Sequence, residues 1–311
     1  MADPVLDKVT LANGIELVVW DSGPKDGEVL IFLHGFPESH RSWRHQIRHF
    51  NDRYRCIAPD QRGYGQSSKP QEIEAYAIET LVGDIFELAD ALEIERFTIV
   101  GHDWGGAISW PIAMMGQGTG GAQGRVTRAV IANAPHMGLF QRLLYTDPVQ
   151  RAASQYIRDF RDPANDGLIR DHGLMALMQK ALPRPEGTPN PFAALEPEEL
   201  QFMFQSWQDR EACFGMLNWY RASVLDVPDP DAPYEVPAGW TPPDLPKLTI
   251  PTLVIWALDD TALPPGNLEG LEEEVEDLTV VEVPDCGHFV QWTKPDAVIA
   301  AMEGFLNRTA G

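Results

Sequence analysis

The sequence predicts an α/β protein, a mostly parallel sheet flanked by helices and interrupted by a long inserted block of helices. Three observations carry that prediction. Short apolar runs suited to parallel strands alternate with helix-spaced segments over residues 29–132. The alternation then lapses, and residues 137–236 hold only helix-like stretches and loops. It resumes at Thr252 with two more strand candidates and a closing helix.

In residues 8–20, two β-rich runs flank Asn13-Gly14, the pair best suited to a tight hairpin, so the sheet should begin antiparallel. Residues 29–33, 54–58, 97–100 and 126–132 are mostly apolar, as strands covered on both faces tend to be. Residues 38–50, 75–92 and 103–115 carry apolar or aromatic positions at helical spacing. Within the insertion, residues 173–182 and 197–206 read as helices, separated by a proline-rich loop around 183–191. A second proline-dense stretch, 227–251, should lack regular structure, because proline fixes φ and has no N–H to donate. Residues 252–256 and 278–283 are the last strands and 295–306 the last helix; the acidic run 272–277 reads as a solvated helix face. The core is therefore expected in residues 1–136 and 237–311, with an insertion and linker in 137–236.

A chain of 311 residues with 44% hydrophobic content can build one enlarged domain or a core with an inserted module. Its net charge of -22 disfavours nucleic acid and anionic lipid surfaces and weakly favours neutral or cationic substrates. Cys56, Cys213 and Cys286 are widely spaced without a C-x-x-C pair, so neither a disulfide framework nor a zinc knuckle is implied, and a reduced setting fits. No basic-then-apolar leader and no apolar run near ~20 residues is found, so a soluble, cytoplasmic protein is expected.

The segment Gly101-His102-Asp103-Trp104-Gly105-Gly106 follows a strand candidate and opens a helix. This is the nucleophile-elbow pattern G-x-S-x-G with aspartate in the serine position. Small residues suit the tight turn, and the helix N-terminus favours an ionised carboxylate at Asp103. Two further turns follow the third and fourth strands: His34-Gly35-Phe36-Pro37, and Asp60 to Ser67 with Gly63 and Gly65. The first lies where a second oxyanion donor belongs, so the backbone N–H groups of Phe36 and Trp104 are candidates; the Phe36–Pro37 bond is a candidate for cis. A base and its orienting acid should follow in the order nucleophile, acid, base. His288 lies just past the last strand, and Asp259 and Asp260 lie just past the one before; Asp260 is preferred, with Asp259 as the alternative. His45 and His49 stand at i, i+4 without the glutamate of H-E-x-x-H, so no zinc site is expected there, while His102 and His136 flank the site.

An aspartate nucleophile narrows the chemistry. Serine attacking a saturated carbon would give an inert ether, whereas a carboxylate gives an alkyl ester that water, activated by His288, can cleave.

These motifs together resemble the α/β-hydrolase superfamily, and specifically its soluble epoxide hydrolases and their haloalkane dehalogenase relatives, over nearly the whole chain. The resemblance implies an α/β-hydrolase fold with an eight-stranded sheet and a helical cap at 137–236. It implies conversion of apolar epoxides and water to vicinal diols, with no cofactor and no metal; a homodimer is compatible with it. It also implies acidic phenols in the cap. Residues 217–222 are similar to the family motif carrying one of them, Tyr220, and residues 155–160 to the segment carrying the other, Tyr156, with Tyr145 and Tyr234 as competitors. His34, Pro37, Trp104 and Trp219 are expected around the substrate, and Met175, Met178, Met203, Phe204 and Trp207 either line the pocket or pack the cap. One departure is the tail after the histidine, where Lys294 precedes Pro295 and relatives often carry glutamate. The alternatives are a dehalogenase, although Phe36 and Trp104 replace the asparagine and arginine usual in two such groups, and a non-catalytic ligand binder.

Overall fold

The computed structural model describes residues 5–118, 124–183 and 190–309. The hairpin predicted around Asn13-Gly14 joins β1 (Leu6–Thr10) to β2 (Glu16–Ser22), with Gly14 at φ 84° and the Asn13 side chain accepting the Ile15 N–H at 3.0 Å. After β3 (Glu28–Leu33), the helix expected over 38–50 is divided: a 3-10 turn over His40–Trp43 precedes α1 (Arg44–Phe50). β4 (Tyr54–Asp60), α2 (Ile78–Ala91), β5 (Phe97–His102), α3 (Trp104–Gly116) and β6 (Val126–Ala132) complete the first half of the alternation.

Seven α-helices follow with no strand between them among the described residues: α4 (Met137–Thr146), α5 (Pro148–Ala153), α6 (Tyr156–Arg161), α7 (Asp166–His172), α8 (Leu174–Ala181), α9 (Pro197–Ser206) and α10 (Arg210–Ala222). Asp147 and Asp209 start α5 and α10 by accepting N–H groups of the first turn. Residues 184–189 of the proline-rich loop lie outside the described residues. The chain then returns through β7 (Thr252–Ala257), α11 (Leu271–Glu274), β8 (Leu278–Val283), α12 (Val290–Thr293) and α13 (Pro295–Arg308). The acidic run is only half helical, because buried Val275 leaves α11 to bridge Leu248.

The sheet has eight strands in the order β1-β2-β4-β3-β5-β6-β7-β8, antiparallel at its first two pairings and parallel from β4 onward. Both faces are covered, so inner strands are mostly apolar. Ile31, Leu33 and Ile99 enter the core shared with α2, α3 and the inserted helices; Leu30, Phe32 and Val100 enter the core shared with α1 and α13.

Residues 227–251 form neither helix nor strand apart from the Leu248 bridge. Buried Arg151 ties the start of this stretch down, donating to the carbonyls of Leu144, Tyr145, Ala232 and Pro233. The inserted helices are fastened to the sheet side by Arg41 paired with Glu199 at 2.7 Å and Arg44 with Glu196 at 2.6 Å. Two buried indoles add Trp207 to the Pro37 carbonyl at 2.8 Å and Trp219 to the Arg62 carbonyl at 2.9 Å. Among the described residues no helix is long and apolar enough to cross a membrane. Cys56, Cys213 and Cys286 are free and buried.

Candidate active site

β5 ends at His102, and Asp103 turns the chain at φ 51° and ψ -122° before α3 begins at Trp104. The turn is too close for larger side chains. A Cβ at Gly101 would lie 2.4 Å from the Gly105 carbonyl oxygen, and one at Gly105 would lie 2.4 Å from that of Leu33.

One oxygen of Asp103 accepts the Phe36 N–H at 2.7 Å, and the other faces His288 Nε2 at 3.3 Å. Trp104 opens α3, so its N–H belongs to the first turn, which has no partner within the helix. His288 Nδ1 donates to Asp260 Oδ2 at 2.7 Å. Asp260 is fully committed: Oδ2 also accepts from Asn133 Nδ2 at 2.8 Å, and Oδ1 accepts the N–H groups of Ala262 and Leu263 at 2.9 and 3.0 Å. Asp259 instead uses its backbone N–H on the Cys286 carbonyl.

Burial would raise the Asp103 pKa, but the hydrogen bond and charge of His288, then His102 and the Phe36 N–H, hold it below the usual carboxylate range. Burial would lower that of His288, but Asp260 and Asp103 overcome it and hold the imidazole well above its ordinary value. His288 thus sits between two carboxyl groups whose surroundings favour its protonated form.

Behind this line lies a buried connection that sequence reasoning missed. Glu38 accepts the Gly35 N–H at 2.6 Å and Gln291 Nε2 at 2.6 Å, and it contacts His102 Nδ1 at 2.9 Å. His102 Nε2 donates to the His288 carbonyl at 2.8 Å. The loop holding Phe36 and the loop holding His288 are therefore tied through the side chain next to Asp103.

Asp103 opens into a cavity of about 900 Å³, counted with its mouth, lined by Trp104, Tyr156, Trp219, Tyr220 and mainly apolar neighbours. The rings of Tyr156 and Tyr220 stand 6.1 Å apart, and Tyr220 lies 5.1 Å from Trp104 and 5.2 Å from Phe36. Both phenols are held far above the ordinary tyrosine pKa, first by burial, then at Tyr156 by the charges of Asp103 and Asp260 and at Tyr220 by Tyr156 and the charge of Asp103. Burial disfavours the phenolate, so each phenol keeps its proton until a stronger base appears. Tyr145 and Tyr234 are elsewhere, bonded to Asp226 and the Pro230 carbonyl.

His34 and Pro37, expected around the substrate, do not line the cavity. His34 is fully buried; its Nε2 accepts the Gln61 N–H and its Nδ1 donates to the Gly35 carbonyl, so it braces the turns after β3 and β4 as a neutral ring. The Phe36–Pro37 bond is cis, and Pro37 presents its carbonyl to Trp207. Of the inserted residues considered for the pocket, only Trp219 lines it; Met203 and Trp207 pack internally and Phe204 lies exposed. Among the described residues no group of three or more metal-ligating side chains is assembled.

The chain matches the α/β hydrolase fold family over residues 28–295. It is 31% identical to epoxide hydrolase A of Mycobacterium tuberculosis, covering 96% of this chain and 97% of that protein. A solved structure described among novel epoxide hydrolases of the α/β hydrolases superfamily, from metagenomes of hot environments, shares 64% identity with a TM-score of 0.92, covering 98% of this chain and 99% of that one. A mutant of an epoxide hydrolase from Bacillus megaterium, solved with its product (R)-3-[1]naphthyloxy-propane-1,2-diol, shares 29% identity and a TM-score of 0.82, covering 97% and 100%. The chain belongs to the α/β-hydrolase superfamily and, within it, to the epoxide hydrolases.

Proposed function

We propose that this protein is a hydrolase that opens apolar epoxides to vicinal diols through an alkyl ester on Asp103. The observation that carries the reading is one arrangement: an ionised carboxylate with one oxygen on the Phe36 N–H and the other beside His288, under two buried phenols in one apolar cavity. Residues 137–236 act as the cap over a core formed by 1–136 and 237–311.

An Asp103 oxygen attacks an epoxide carbon, the carbon–oxygen bond breaks, and the departing oxygen takes a proton from Tyr220 or Tyr156. An alkoxide is basic enough to draw that proton from a buried phenol. Esterification removes one of the two carboxylates beside His288, so its pKa falls and it becomes a base for water. Water attacks the ester carbonyl, and the N–H groups of Phe36 and Trp104 stabilise the resulting oxyanion. Collapse frees Asp103 and the diol; the proton that His288 gave up on esterification has restored the phenol, and the one it took from water restores its own protonated form. The phenols favour this reading over halide displacement, because halide leaves without a proton. The product bound to the Bacillus megaterium relative, an uncharged aromatic ether of a propanediol, suits such a cavity. A cytoplasmic location accords with the three unpaired, buried cysteines.

Purified protein should release diol from styrene oxide and phenyl glycidyl ether, and no halide from a haloalkane panel. Halide release without diol formation would reverse the assignment, and turnover of neither would remove it.

A further inference from the structure

A proton donor acts only while its oxygen stays within hydrogen-bond reach of the departing oxygen, and the two phenols stand on different helices. Tyr156 opens α6 and Arg161 closes it. The Arg161 guanidinium reaches across to the end of α10. There Nε donates to the Tyr220 carbonyl at 2.8 Å, Nη2 to that of Ser223 at 3.0 Å and Nη1 to that of Leu225 at 2.6 Å. The last carbonyls of a helix lack partners within it, and a cation is favoured at that end. Ser223 and Leu225 line the cavity with the phenols. Phe160, the neighbour of Arg161, sets its ring edge-to-face 5.0 Å from Tyr220 and 5.4 Å from Tyr156, and tilted 5.1 Å from Phe36.

We propose that Arg161 is a positioning residue for ring opening: its three carbonyl bonds lock the end of α10 and the segment that follows it to α6, and so hold both phenols within reach of the departing oxygen. The proposal rests on the reaction described above. In the step concerned, a bond forms between Asp103 and the epoxide carbon, the ring carbon–oxygen bond breaks, and the freed electron pair takes the phenolic proton. Ester hydrolysis runs through His288, Asp260 and Phe36, whose hydrogen bonds do not involve Arg161. Lysine cannot replace the fork, because one ammonium nitrogen cannot reach carbonyls spaced for three planar nitrogens.

Stopped-flow tryptophan fluorescence with phenyl glycidyl ether separates the two steps, with Trp104 and Trp219 as reporters at the cavity wall. In Arg161→Lys and Arg161→Ala, ester formation at saturating substrate falls by about tenfold or more, while ester hydrolysis stays within about threefold of wild type. The deficit shrinks for an epoxide bearing a trifluoromethyl group, whose departing oxygen needs less protonation, and methylguanidinium returns part of the lost rate to Arg161→Ala. A purely structural role would slow both steps alike and be blind to the leaving group. Equal losses in both steps, or wild-type ester formation in Arg161→Lys, overturn the proposal; should Arg161→Ala not fold, the lysine variant decides it. A wild-type enzyme that forms no ester overturns the reaction itself.

Discussion

Replacing Asp260 by Asn removes one charge and reverses one hydrogen bond, and the surroundings allow no repair. The oxygen of the introduced amide can still accept the N–H groups of Ala262 and Leu263, which places its nitrogen where Oδ2 now meets His288 Nδ1 and Asn133 Nδ2. Asn133 cannot turn to accept, because its own oxygen takes the Ala257 N–H at 3.0 Å. The new amide therefore donates to Nδ1, the His288 proton moves to Nε2, and the nitrogen that should take a proton from water already carries one. The wrong tautomer in a comparable triad costs about 10⁴-fold in turnover, and two facing donors cost about 1–3 kcal/mol of stability. Ester formation uses Asp103 and the phenols and continues. Intact-mass spectrometry of Asp260→Asn with phenyl glycidyl ether should show near-complete adduct on Asp103, with deacylation slowed by about 10³-fold or more. Asp259→Asn should turn over without accumulating adduct. Steady turnover of Asp260→Asn within about tenfold of wild type, with no adduct, would refute the tautomer argument.

Tyr220→Phe should lower ester formation by about 10²-fold and Tyr220→Phe/Tyr156→Phe by more, read as single-turnover rates; a double variant that opens epoxides normally would remove the phenols from the chemistry. Among the described residues, the charged ones lining the cavity are Asp103 and Glu79, and none of the lining is Lys, Arg or His. A phenyl glycidyl ether carrying a para-carboxylate should therefore show kcat/KM about tenfold or more below its carboxamide, measured by diol release at low salt. Asp60 is buried, which would raise its pKa, yet the charge and hydrogen bonds of His40 bring it down to about 2. A lowered folded-state pKa contributes stability that is present above the ordinary carboxylate value and lost as pH falls toward the folded one. Urea midpoints should drop between about pH 4 and pH 2, with roughly 2 kcal/mol of the loss absent from Asp60→Asn.

The candidates proposed as nucleophile and base are legible in sequence because their signals are local. Gly101 and Gly105 are forced by contacts within a few residues of Asp103 or with the adjoining strand, and the loops after β7 and β8 follow from strand order. The strands were legible for the same reason, since apolar runs report burial on both faces. The cavity wall was not, because it depends on how inserted helices dock on distant loops. His34 and Pro37 sit in a motif that suggests substrate contact, yet the first braces two turns and the second receives Trp207, a partner 170 residues away. Asn133 and Glu38 had faint signals: an asparagine just past β6, which tolerates the φ of 40° found there, and a carboxylate four residues after His34. Glu38 meets His102 across 64 residues and Gln291 across 253, a pairing no local pattern encodes.

The most direct measurement of the mechanism is a single turnover in water enriched in oxygen-18 with enzyme in excess, followed by mass spectrometry of the peptide containing Asp103. Hydrolysis at the ester carbonyl predicts the label in the Asp103 carboxylate and unlabelled diol from the first turnover. Label in the diol, with Asp103 unlabelled, would mean that water attacks the epoxide directly and that no ester forms.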